Sequence, residues 1–208
     1  MEDLLKKTAV AAGITFIIYL VLFFFVDRAV DLWVHQNWAH TWVFTAGTYI
    51  SYLAQGSFVK LGLTAGFILI LLSDPGLQKS WARNLLFICT AGAVAIIIGG
   101  GLKYLLGRYR PVMLFEHNLY GLHFFSSHWA ENSTPSGHTL RAFSLLTALS
   151  LLHRRAAALF LSLAAVIGAS RVVLADHYPS DVLFGAFIGI FTALWTYKYF
   201  FMKDLERG

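Results

Sequence analysis

Apolar residues run in long, nearly uncharged stretches along this chain, and the polar residues gather at the breaks between them. Six stretches stand out, at 8–26, 56–72, 84–106, 138–152, 156–175 and 182–201. Runs of this kind predict helices that cross a bilayer, which takes roughly 20 apolar residues. Between the first two lies "LWVHQNWAHTWVF", with Trp33, Trp38 and Trp42. Tryptophan favours the membrane–water boundary, so this segment predicts one or two interfacial helices. "SDPGLQKSWAR" and "HRR" read as turns, and a long loop spans Gly107–Gly137. The expected fold is an all-α, integral-membrane bundle of six transmembrane helices, one domain over residues 1–208, without long-period repeats.

Composition agrees. The chain is 58% hydrophobic and 13% charged, against about 25% charged in ordinary soluble domains. The net charge of +5 matters less than its placement, and no nucleic-acid partner is expected. Lys6 and Lys7 precede the first run as in a signal peptide, but no small-residue cleavage site follows, which predicts a retained anchor. Lys6, Lys7, Lys79, Arg83, Arg154, Arg155, Lys198, Lys203 and Arg207 fall on one side of six alternating spans, against Arg28, Lys60, Lys103, Arg108, Arg110, Arg141 and Arg171 on the other, most of which lie at span ends beside unusual motifs and are set aside. The positive-inside rule then predicts cytoplasmic termini and an outward-facing long loop. Cys89 sits mid-run and reads as a small buried hydrophobe.

Three stretches break the apolar pattern: "KYLLGRYRP", "PSGH" and "SRVVLADHYPSD". Alternating spans bring all three to one membrane face, gathering Lys103, Arg110, His138, Arg171, His177 and Asp181. Clustered cations call for an anion, and arginine's planar fork suits phosphate. "PSGH" opens a helix, whose amides and dipole favour an anion, and Gly137 lets the backbone approach closely. Asp181 lies four positions after His177, with Pro179 between them starting a helix. A carboxylate there fixes one histidine tautomer and leaves the other nitrogen free to attack. His138 then serves as the acid for the leaving oxygen. Such a phosphatase site requires no metal and no cofactor.

The set "K-x6-RP", "PSGH" and "SR-x5-H-x3-D" resembles the three-part signature of the type 2 phosphatidic acid phosphatase (PAP2) superfamily. It stands here as Lys103–Arg110–Pro111, Pro135–Ser136–Gly137–His138 and Ser170–Arg171–His177–Asp181. The resemblance implies a PAP2/haloperoxidase-like fold. It implies His177 as a nucleophile that becomes phosphohistidine, with Asp181 assisting and His138 as the acid. It implies Lys103, Arg110, Arg171, Ser136 and the Gly137 amide as phosphate ligands, without a metal. Arg108 and Arg141 match no position of the signature. The soluble vanadium haloperoxidases share the anion-site pattern, but uninterrupted spans argue against a soluble life.

The expected activity is hydrolysis of a membrane lipid phosphate or diphosphate at the outer face. Undecaprenyl pyrophosphate, phosphatidylglycerol phosphate, phosphatidic acid and lipid A phosphate are the candidate substrates. Short termini and the lack of glycosylation or organelle signals predict a bacterial inner-membrane enzyme. A lipid-to-lipid phosphotransferase would use the same residues. An anion transporter would distribute charges across membrane depth or show an inverted repeat. The aromatic loop at 112–134 is expected to dip into the interface beside the lipid entrance; its His117, His123 and His128 have spacings that fit no regular metal-ligand face. Oligomeric state is left open.

Overall fold

A computed structural model describes residues 2–201, and within them the chain is all-helical with isolated bridge pairs only. Lys203 and Arg207, assigned above to the inner side, lie outside the described residues. Helix α1 (Glu2–Val21) runs through one π turn at Leu22–Val26 into α2 (Asp27–Trp38). α3 (Trp42–Tyr52) and α4 (Gly56–Ser73) are separated by three residues. α5 (Ser80–Leu106) is followed by the short α6 (Pro111–His117), then α7 (Gly137–Leu152), α8 (Ala157–Val173) and α9 (Pro179–Phe201).

Five stretches are helical, long and apolar enough to cross a membrane: Glu2–Trp38, Trp42–Ser73, Ser80–Leu106, Arg154–Val173 and Pro179–Phe201. The predicted span at 138–152 forms as α7, but its 16 residues reach only about 24 Å, short of a bilayer core of about 30 Å. The tryptophan-rich segment forms two short helices: α2, which continues α1 through the π turn and ends at Trp38, and α3, which begins at Trp42 and is set off from α4 by three residues. α2 buries Asp27, Asp31 and Val34 and stacks His35 on Phe115 of α6 at 4.1 Å.

α7 is central and packs against α5, α8 and α9. Its contacts are made by small residues. Ala142 joins Ala54, Ala164 and Ile167, while Ala148 joins Phe87, Ala91 and Ala193. Small side chains let helix backbones approach where lipid offers no hydrophobic drive. The Ser144 hydroxyl donates to the Ala91 carbonyl at 2.9 Å, linking α7 to α5. α1, by contrast, buries no residue and leaves Phe16 and Ile17 more than half exposed, as a lipid-facing helix does. Cys89 is buried and unbridged.

The closest approach lies between α7 and α9. A Cβ on Gly189 would stand 2.6 Å from the Leu140 carbonyl oxygen. Gly189→Ala therefore forces two backbones apart, a cost of about 1–3 kcal/mol. We expect a lower unfolding temperature in detergent; an unchanged temperature would show that the helices can separate freely.

Each helix start bearing a motif residue has a local cause. Pro111 and Pro179 occupy first helical positions, where a missing N–H costs nothing. Asp181 reaches back to the Tyr178 N–H at 3.1 Å, closing the first turn of α9. α5 ends at Gly107, whose N–H donates to the Lys103 carbonyl at 3.0 Å. Its φ of +44° suits glycine, and a Cβ there would strike the His123 carbonyl. Beyond this turn the chain is stitched to the segment before α7. Arg110 N–H donates to Ala130 at 2.8 Å and Ser133 N–H to Arg108 at 3.0 Å.

Candidate active site

These turns bring the ends of five helices together. Lys103 stands in the last turn of α5, Arg110 just before α6, His138 in the first turn of α7 and Arg171 in the last turn of α8. His177 lies in the link to α9, and Asp181 in its first turn. A cavity of about 270 Å³ is lined by Lys103, Arg110, Gly137, His138, Arg171 and His177, together with Trp129, Arg141 and Asp176. Two predicted residues stand behind its wall. Asp181 is fully buried beyond His177. Ser136 is also fully buried; its hydroxyl accepts from Thr139 at 3.0 Å, and its N–H donates to the Asp181 carbonyl at 3.0 Å.

The cations are held by backbone and side-chain oxygens. Lys103 Nζ donates to the Asn132 carbonyl at 2.6 Å and to that of Ser133 at 3.3 Å. Arg110 Nε donates to the Trp129 carbonyl at 2.9 Å, and its guanidinium carbon lies 4.6 Å from the Trp129 ring centroid. Burial pushes the Arg110 pKa down to about 10, which still leaves it charged at neutral pH. Arg171 donates to the Ser51 hydroxyl and pairs with the Asp176 carboxylate.

His177 is 2% exposed and its two ring nitrogens face different surroundings. Nδ1 lies 3.3 Å from the Ser133 hydroxyl and 3.7 Å from Asp181 Oδ2. The second separation is too long for a direct hydrogen bond. Ser133 bridges it by donating to Asp181 Oδ2 at 2.5 Å. With its proton given to the carboxylate, the Ser133 oxygen accepts from Nδ1–H. Nε2, 3.5 Å from Arg110 Nη1, then keeps its lone pair toward the cations. Burial first, then Arg110, hold His177 well below the usual histidine value, against the pull of Asp181. The ring is neutral at pH 7, the form that can attack. His138 Nε2 lies 3.2 Å from Gln55 Oε1.

The residue the motifs did not single out is Arg108. It is fully buried and bridges two buried carboxylates. Nη1 donates to Asp181 Oδ1 and Ser180 Oγ, each at 2.7 Å. Nη2 donates to Asp27 Oδ2 at 2.8 Å and the Tyr120 hydroxyl at 2.9 Å. Aromatic rings of Tyr178 and Phe23 lie 4.2 and 4.6 Å from its guanidinium carbon, an arrangement that favours a cation. Burial alone would lower its pKa, but Asp181, Tyr19 and Asp27 hold it above the usual arginine value. Asp27 in turn accepts from the Ser180 N–H at 3.1 Å. In the sequence, Asp27 and Arg108 stood at the ends of apolar runs without an assigned partner. Ser133 and Trp129 carried no signal beyond proximity to the motifs, and Gln55 carried none.

Among the described residues no group of three histidine, cysteine or acidic side chains converges to hold a metal. In the loop, His123 pairs with Tyr109 at 3.0 Å and stands 3.5 Å from Glu131, while Phe124, Phe125 and Trp129 remain exposed.

Known proteins share this pattern. A lipid A 1-phosphatase of Rhizobium johnstonii is 34% identical over 124 residues, 57% of this chain and 49% of that protein. The bacitracin transport permease protein BcrC of Bacillus licheniformis is 33% identical over 112 residues, 54% of this chain and 53% of that protein. The chain thus spans about half the length of the curated relatives it matches. The crystal structure of Aquifex aeolicus LpxE superposes with a TM-score of 0.62 at 24% identity, covering 85% of this chain and 97% of that one. A PAP2-type phosphatidylglycerolphosphate phosphatase from Bacillus subtilis gives 0.62 at 18% identity, covering 93% and 96%. Both share the fold. The sequence profile of the PAP2 superfamily matches residues 84–205, the stretch that carries every cavity-lining residue named above, and the chain belongs to that superfamily.

Proposed function

We propose that this chain is a lipid phosphate phosphatase working through a phosphohistidine. The observation that carries the reading is the orientation of His177. Its Nε2 faces the cations while Ser133 and Asp181 hold the other side of the ring. In the first step Nε2 attacks phosphorus, and the bond from phosphorus to the lipid oxygen breaks. The electron pair leaves on that oxygen, which takes a proton from His138. In the second step His138 draws a proton from water, the hydroxide attacks phosphorus and the N–P bond breaks. Lys103, Arg110, Arg171 and the Gly137 amide stabilise the charge that builds on the phosphoryl oxygens. Asp181 stabilises the ring as it becomes cationic.

In this reading α7 is the sixth span, shorter than the rest because helices pack against it and its first turn is the site floor. Both termini are cytoplasmic, the site opens at the outer face of a bacterial inner membrane, and the lipid tail stays in the bilayer. The gathering of charge at one end of the bundle supports an enzyme over an anion transporter. Lipid A phosphate is among the candidate substrates because three of the relatives are named lipid A 1-phosphatase.

The test is phosphate release by the purified protein in detergent. Lipid A, undecaprenyl pyrophosphate, phosphatidylglycerol phosphate and phosphatidic acid are offered side by side. Release from at least one lipid, unchanged by EDTA, is expected. Loss of activity in EDTA with recovery on adding magnesium would overturn the metal-free mechanism. No release until a lipid acceptor is added would replace hydrolysis with transfer.

A further inference from the structure

Arg141 is a fourth cation on the cavity wall, and the phosphoryl group already has three. It follows His138 by three residues on α7, so the two side chains share one helix face. Nε donates to the Ala54 carbonyl at 3.0 Å, which anchors the head. Neither terminal nitrogen has a protein hydrogen-bond partner among the described residues, whereas Lys103, Arg110 and Arg171 all spend donors on the protein. The guanidinium lies between two glycines. A Cβ on Gly137 would stand 3.1 Å from Arg141 Nη1, and one on Gly56 would stand 3.5 Å from its carbon. A side chain at 137 would press on Nη1, so glycine there leaves that nitrogen room. No acid balances it: Asp176 is taken by Arg171, and Asp181 by Arg108. Past His138 and Arg171 the cavity continues into a space of about 410 Å³ beside α3, lined in part by Thr48, Ser51 and Gln55. Arg141 lines the smaller cavity beside His138, so the fourth cation stands on the side where the leaving group departs.

We infer that Arg141 binds a second phosphoryl group, carried by the leaving group, and so selects lipid diphosphates over monophosphates. The inference rests on the phosphatase reading above and deepens it. His177 Nε2 attacks the terminal phosphorus and the bond to the bridging oxygen breaks. The electron pair leaves on that oxygen, now part of a lipid monophosphate, and Arg141 neutralises the departing charge. Water then releases inorganic phosphate from His177.

The experiment compares undecaprenyl diphosphate with undecaprenyl monophosphate, one lipid with one or two phosphoryl groups, for the parent protein and Arg141→Gln. The parent should show the higher kcat/KM on the diphosphate. Arg141→Gln should lower the diphosphate-to-monophosphate ratio of kcat/KM by about 10- to 100-fold, the usual scale of a lost charge-assisted contact. Arg141→Lys, which keeps a point charge, should recover part of the ratio. The ratio is internal to each preparation, so partial misfolding does not move it. Equal losses on both substrates, or a parent without preference, would overturn the assignment and leave the phosphatase reading standing. A parent that releases phosphate from neither these two lipids nor the four above would overturn both.

Discussion

His177→Ala is expected to release no phosphate above background while folding as the parent does. Removing a nucleophile that works with a positioned partner costs enzymes about 10³-fold or more. The fold should survive because no charge is orphaned. Asp181 keeps Ser133, the Tyr178 N–H and Arg108, and Ser133 keeps Asp181. Acid stability provides a second readout. The native ring resists protonation, whereas the unfolded chain takes up a proton near the ordinary value of about 6.5. Below that pH the unfolded state binds more protons at this site, so the contribution of His177 to stability falls as pH falls. Substitution by alanine removes that slope, and the variant should lose less of its unfolding temperature between pH 7 and pH 5. Measurable turnover by the variant would remove His177 from the nucleophile's role.

The largest loss of stability is expected from Arg108→Gln. Both carboxylates it bridges are fully buried, and each would lose its counterion. Breaking one partner out of a buried ion pair costs about 3–5 kcal/mol. Unfolding in detergent should shift down by many degrees. Activity should fall as well, since Asp181 would no longer be held from its far side. Asp27→Asn in the Arg108→Gln background should restore part of the stability but not the activity, because it removes one orphaned charge and leaves the other. Additive losses in that double variant would show that the two residues do not act as a pair.

Much of this site was legible because its residues break an apolar background. Lys103, Arg110, His138, Arg171 and His177 are conspicuous in spans otherwise made of Leu, Ile, Phe and Ala, and alternating helices brought their ends to one side. Arg108 was not legible for a physical reason. It sits two residues before Arg110, where the spacing admits any residue, and its partners lie 81 and 73 positions away. No local pattern records such a pairing. Ser136, a phosphate ligand by resemblance, is fully buried, and its hydroxyl accepts from Thr139, a contact that no local pattern records. The tryptophans near residue 38 mark a break that the structure shows, since α2 ends at Trp38 and α3 begins at Trp42. Helix α7 was read as a span from composition alone, and its length is set by the three helices around it.

The link from Asp27 to Ser180 joins residues 153 positions apart. Asp27 is made first and Arg108 next, and Ser180 and Asp181 follow only with the last helix. The network around Arg108 therefore closes only when α9 docks. The step that seats the last helix is also the one that sets Asp181 behind His177.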